Sequence, residues 1–390
     1  MSLDSFSPRI SLEQSRKQAK DLVKAFQAGE GRAIDVIRSH HPRFKALDVA
    51  HATERPFRLA DAQLVVARIH YFESWPKLLQ HIETLERQDP RVARFEDAAD
   101  AIIAGDIETL RTLVRVDPSI VHERSTRAHR APLLHYISAN GVEDYRQVTP
   151  PNAIAVARLL LDSGAEVDAT SEAYGGDSTA LGLVATSTPP RRAGVQIPLI
   201  DLLLERGAAI DGVRSGQSFV RDALANDCPE AARALAERGA RIPGITAAAG
   251  IGRLDLVVQL AEEASERDLE KALIAAAGTS DGHDIVRFLL DRGVDVAAAT
   301  GWTALHAAAG GANPQTIDLL IRRGAPLETK NMYGGTVLGH AIWFAFHGDP
   351  ARTNEYARVI DTLIVAGART DAYTEMERHI EEIRRRAGAA

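Results

Sequence analysis

The stretch GWTALHAAAGGANPQTIDLLIRRGAPLETK, residues 301–330, carries the pattern that decides the fold. Thr303 stands at the head of a small apolar run, where its hydroxyl can accept an orphan amide hydrogen and start a helix. Ala307, Ala308 and Ala309 follow, and side chains this small let a helix lie close to a neighbouring layer. A glycine turn leads to a second helix with Ile317, Leu319 and Leu320. Gly324 comes directly after it, where a left-handed backbone cap is cheap for glycine and strained for other residues.

Working outward, the same ending recurs in LLLDSGAEVDA (159–169), LLLERGAAIDG (202–212), ALAERGARIPG (234–244), FLLDRGVDVAA (288–298) and LIVAGARTDA (363–372). The capping glycines are Gly164, Gly207, Gly239, Gly293, Gly324 and Gly367, separated by 43, 32, 54, 31 and 43 residues. Two intervals lie near 33, two carry about ten extra residues, and the longest contains an abbreviated unit, ITAAAGIGRLDLVVQLAEEAS (245–265). A period of this size predicts a stacked array of helix pairs.

Thr303-Ala304-Leu305-His306 stands where the ankyrin repeat has its Thr-Pro-Leu-His signature, and the unit resembles that family. The resemblance implies an all-α ankyrin-repeat solenoid. It also implies that His306 is structural, because the family's threonine and histidine tie the turn together. By the same pattern eight units are expected, at 93–126, 127–172, 173–213, 214–243, 244–266, 267–298, 299–331 and 332–374. Residues 1–92 are expected to form an N-terminal helical cap domain, similar to the segment that precedes ankyrin arrays in bacterial proteins. Residues 375–390 are expected to form a C-terminal capping helix and tail.

Composition agrees with a stack. A chain of 390 residues exceeds what one core usually fills, and its 5% aromatic content is low for a large globular core. A formal charge of −7 gives no general attraction to nucleic acid, and Arg191-Arg192, Arg322-Arg323 and Arg384 to Arg386 make no continuous basic stripe. No apolar run reaches membrane length, and the single cysteine fits a reducing compartment. We therefore expect a cytoplasmic protein with no nucleic-acid or membrane partner, no cofactor and no bound metal.

Three units are over-long. Insertions fall between the two helices of unit two (135–160), unit three (183–204) and unit eight (340–364), and such insertions often mark a binding face. Tyr174-Gly175-Gly176 is echoed by Tyr333-Gly334-Gly335, as tight-turn residues or as amides open to a partner's anion. Aligned helix starts place His135 and His340 one residue beyond the consensus histidine. Trp343, Phe344 and His347 share one helical side with His340. Tyr145, Tyr174, Trp302, Tyr333, His340, Trp343 and Tyr356 are the candidate binding residues, for a protein segment or small molecule on the concave face. Packing of the insertions onto the body is the alternative use of these rings.

No catalytic signature such as H-E-x-x-H, a P-loop or G-x-S-x-G is present, and Cys228 has no histidine nearby in sequence. His135, His340, His347, Asp349 and Glu355 are the candidates for an enzymatic alternative, doing acid–base or metal-assisted work in a pocket between inserted units.

Overall fold

The computed structural model describes residues 11–45, 56–86, 90–348, 352–371 and 375–388. The chain divides into two compact units, Met1–Phe219 and Val220–Ala390. Among the described residues there is no β-sheet, and extended backbone pairs only at the bridges Arg124–Pro132, Ser171–Ser178 and Ala299–Thr303. No described helix is long and apolar enough to cross a membrane.

The first unit opens with α1 (Leu12–Gln27), α2 (Gly31–His40), α3 (Leu59–Ile69) and α4 (Trp75–Glu86). Ser11 starts α1 by accepting the Gln14 amide hydrogen at 3.2 Å. The four helices share a core that includes Leu22, Phe26, Ile37, Val65 and Leu78. Phe26 meets Phe44 edge-on at 6.1 Å, and Phe44 meets Phe57 edge-on at 5.4 Å, a geometry aromatic quadrupoles favour.

Helix pairs follow: α5 (Pro90–Ala104) with α6 (Ile107–Val116), then a tight 3-10 helix at Leu133–Ser138 with α7 (Ala153–Asp162). After them come α8 (Ala180–Ala185), α9 (Thr188–Arg192) and α10 (Gln196–Glu205). The stretch between Ser138 and α7 is anchored by buried charge. Arg146 sends Nε to Asp100 Oδ1 at 2.9 Å and Nη2 to Glu96 Oε2 at 2.9 Å, while Arg127 Nε meets Glu143 Oε1 at 2.6 Å. Burial alone would raise the Glu143 carboxyl. The Arg127 guanidinium, with the neighbouring His129 ring and Arg146, outweighs it and holds Glu143 well below the usual carboxylate range.

The second unit takes in all but the first residue of α11 (Phe219–Ala225) and continues through α12 (Pro229–Glu237), α13 (Ile245–Gly250), α14 (Leu254–Leu260), α15 (Glu266–Ala277) and α16 (His283–Asp291). It ends with α17 (Ala304–Gly310), α18 (Pro314–Arg322), α19 (Val337–His347), α20 (Thr353–Val365) and α21 (Met376–Gly388). The first helices α13, α15, α17 and α19 pack in sequence, and the second helices α14, α16, α18 and α20 form a parallel row. Ala272, Ala276, Ala304, Ala308 and Ala341 are fully buried where the first row stacks. α21 packs on α19 and α20 and closes the row.

Truncating one partner of a buried charge pair strands the others. Arg146→Met should destabilise the first unit by about 3–5 kcal/mol, whereas Arg253→Ala, which breaks an exposed pair with Asp255, should leave stability unchanged. Urea denaturation of the two variants beside wild type checks this. Similar midpoints for Arg146→Met and wild type would refute the anchoring role.

Candidate functional site

Unit seven explains how a ring reaches the surface in the second unit. Thr303 caps α17, its Oγ1 accepting the His306 amide hydrogen at 3.3 Å. The Thr303 N–H approaches His306 Nδ1 at 3.4 Å, so Nδ1 accepts and Nε2 carries the proton, donating to the Gly335 carbonyl at 3.2 Å. His306 therefore ties its own turn to the next one, and the tip carrying Met332, Tyr333 and Gly334 is held beside Trp302. A second tie runs from the Met332 N–H to the Gly301 carbonyl at 2.8 Å.

On this frame eight rings form one chain. Tyr333 meets Trp302 at 5.6 Å between centroids, Trp302 meets His340 at 4.9 Å, and His306 lies 5.7 Å from His340. His340 touches Phe344 at 4.9 Å, Phe344 touches Trp343 at 5.0 Å, and Trp343 stacks on His347 at 4.6 Å. Tyr356 lies under Phe344 at 6.4 Å. The ends face solvent: Tyr333 is 78% exposed and Trp343 52%. All but Tyr356 belong to turn tips and first helices, outside the row of second helices.

Of the sequence candidates, the structure joins Trp302, Tyr333, His340, Trp343 and His347 in this surface. Tyr356 is buried rather than displayed, its hydroxyl donating to the Gly310 carbonyl at 2.9 Å, and it supports Phe344 from behind. Glu355 accepts from Arg352 Nε at 2.5 Å, and Arg352 also donates to the Gly311 carbonyl at 2.8 Å. Asp349 lies outside the described residues. Among the described residues no cluster of three or more His, Cys, Asp or Glu is placed to hold a metal ion.

His135, Tyr145 and Tyr174 belong to the first unit and make their contacts there. His135 corrects the expected register. Pro132 is the cap residue of its helix, so His135 occupies the third helical position, the same one as His306, and not the position of His340. It is fully buried, and its Nε2 lies 2.8 Å from the Ala169 carbonyl, the counterpart of the His306–Gly335 tie. Tyr145 is half-buried, its hydroxyl accepting from Arg127 Nη2 at 3.2 Å. Tyr174 is exposed in a left-handed conformation, φ 54°, and donates to Asn140 Oδ1 at 2.5 Å.

A family model described as ankyrin repeats in three copies matches residues 245–331 and 273–348. Residues 245–348 carry ankyrin repeats. The fold of the chain is an all-α ankyrin-repeat solenoid with flanking helical regions, and the matched span contains the ladder from Trp302 to His347. An ankyrin repeat domain-containing protein, SAT10, of Stachybotrys chartarum (strain CBS 109288 / IBT 7711) is 29% identical over 130 residues. That alignment covers 32% of this chain and 6% of the length of the relative. The crystal structure of the human ASB11 ankyrin repeat domain aligns at 20% identity and a TM-score of 0.33, covering 70% of this chain and 98% of that one.

In this ankyrin array the histidine at the ladder's centre is uncharged at neutral pH. Burial pushes the His340 imidazole down to about 4, with nearby His306 adding to the effect. The unfolded chain takes up that proton near the ordinary histidine value of 6.5. The native state therefore loses stability as pH falls from 6.5 through about 4, and keeps its full advantage above 6.5. Proton NMR of the His340 ring should give a midpoint about two pH units below that of an unfolded peptide. A midpoint near 6.5 would show that the ring is solvated and the ladder loose.

Proposed function

We propose that the protein is a recognition module whose partner lies along the concave ankyrin face of the second unit. The observation that carries this reading is the continuous ring ladder, exposed at Tyr333 and Trp343 and fixed at His340 and Phe344. A ladder this long suits a protein segment better than a compact small molecule, because Tyr333, Trp302, Trp343 and His347 offer ring faces over an extended track while His306 and Tyr356 support them from behind. The tyrosine hydroxyl and tryptophan N–H groups supply hydrogen bonds to a partner's carbonyl groups. The scaffold is ordered beforehand, so binding spends little conformational entropy on the receptor side. Tyr174, 76% exposed, offers the first unit's counterpart of Tyr333. A single buried cysteine fits a cytoplasmic setting for such a module.

Selection of a displayed dodecapeptide library on the immobilised protein, followed by calorimetric titration of the selected peptides, tests this. Tyr333→Ala and Trp343→Ala should each weaken the selected peptides by about tenfold or more, as central aromatic anchors do. Val365→Ser, at an exposed apolar position outside the ladder, should change affinity by less than about twofold. Equal affinities for wild type and both aromatic variants would overturn the assignment of the surface.

A further inference from the structure

The sequence holds one Asn-Gly pair, Asn140-Gly141, and the first unit builds it into the junction of two repeats. Asn140 is half-buried and stitches three segments together. Its Nδ2 donates to Thr186 Oγ1 at 3.0 Å and to the Leu183 carbonyl at 3.4 Å, at the end of α8. Its Oδ1 accepts from the Tyr174 hydroxyl at 2.5 Å. Ser138 Oγ, in the turn before it, donates to the Asn140 carbonyl at 3.0 Å.

Both ends of the side-chain amide are therefore engaged. The next backbone nitrogen is not: among the described residues no carbonyl accepts from the Gly141 N–H. That amide lies beside the same hydroxyl. Burial raises the Tyr174 phenol, and the Gly141 amide opposes the rise.

Glycine at 141 is required by the fold. Its φ is 68°, and a Cβ there would stand 3.0 Å from the Ala173 Cβ and from Leu183 Cδ2. The same lack of a side chain leaves the Gly141 nitrogen unshielded, which is what makes an Asn-Gly pair chemically labile. The tip that guards it is strained. Tyr174 (φ 54°) and Asp177 (φ 56°) flank Gly175 and Gly176 in the left-handed region. Such strain persists only where surrounding contacts over-determine it, and the Tyr174–Asn140 bond is one of those contacts.

We propose that Asn140-Gly141 is a self-modification site held in check by Tyr174: when the hydroxyl releases Oδ1, the Asn140 side chain turns onto the Gly141 nitrogen and deamidates. The Gly141 nitrogen bonds to Asn140 Cγ as its proton passes to solvent. The Cγ–Nδ2 bond breaks, and the amide nitrogen leaves as ammonia. Water then opens the five-membered succinimide at either carbonyl, giving aspartate or isoaspartate. Aspartate has no N–H for the Leu183 carbonyl and sets a negative charge against it. Isoaspartate adds a backbone carbon where Gly141 has no spare room. Either product unstitches the turn at Ser138–Gly141 from the end of α8. The site lies in the first unit, and its failure would leave the recognition surface proposed for the second unit untouched.

The test incubates the full chain in mildly alkaline buffer and follows each asparagine by peptide mapping with mass spectrometry and isoaspartate detection. The five other asparagines, none followed by glycine, are internal controls and should stay intact over the same period. Wild type unfolded in urea should react at Asn140 faster than the folded chain. Tyr174→Phe, which removes only the hydroxyl, should react at Asn140 about threefold or more faster than folded wild type, the value of one hydrogen bond. An unchanged unfolding midpoint shows that this variant is folded. Asn140→Asp, the simpler product, should speed amide hydrogen exchange in 138–141 and 183–187 about threefold or more, with α6 unchanged. Equal or slower reaction in folded Tyr174→Phe would overturn the proposal. So would an intact Asn140 in that variant after the unfolded chain has reacted, or unchanged exchange in Asn140→Asp.

Discussion

Close approach between successive first helices is the constraint on which the second unit depends. A Cβ on Gly311, at the end of α17, would stand 2.3 Å from the carbonyl oxygen of Gly278, at the end of α15. Where the backbones approach this closely only hydrogen or methyl side chains fit, which is why alanine recurs along the first-helix row. The same closeness makes the ladder possible. A Cβ on Gly310 would lie 3.2 Å from His340 Nε2 and 3.3 Å from a Phe344 ring carbon, so the rings of α19 rest directly on a bare backbone. Leu273, Leu305 and Leu338 fill the buried side of this row, and the aromatic rings stand on its open side.

The first unit solves a different problem. Its over-long second pair cannot close by alanine packing alone, since the turn after Ser138 carries Glu143, Asp144 and Arg146. Two buried guanidiniums and the carboxylates of Glu96, Asp100 and Glu143 pair with one another across elements distant in sequence. A network of this kind costs desolvation energy, which the mutual attraction and hydrogen bonds offset only when every partner is present. In return it fixes one conformation of the turn, and with it the placement of Asp144 and Tyr145.

Features that depend on neighbours along the chain are legible in the sequence alone. Thr303 as a cap, His306 as a tie, Gly293, Gly324 and Gly367 as left-handed ends, and the shared side of His340, Trp343, Phe344 and His347 all follow from short spacings along one helix or turn. The register of His135 differs by one residue from the expected one because Pro132, which makes no side-chain cap, begins that helix where Thr303 and Thr336 begin α17 and α19. Tyr356 reads as a surface ring, yet α19 is long enough to cover it. The Arg127–Glu96 and Arg146–Asp100 pairs span 31 and 46 residues, so no local pattern announces them. Their sequence trace is the density of charge in VEDYRQ, inside an insertion that otherwise reads as surface.

The three tryptophans provide the most direct test of the central claim that the ladder is one recognition surface. Trp302 and Trp343 are rungs, whereas Trp75 packs on the N-terminal core. Fluorine NMR of protein carrying 5-fluorotryptophan, titrated with a peptide selected on the wild-type chain, follows all three at once. The account predicts that the Trp302 and Trp343 resonances shift along one saturation curve while Trp75 stays still. Movement of Trp75 with both rungs silent would contradict it.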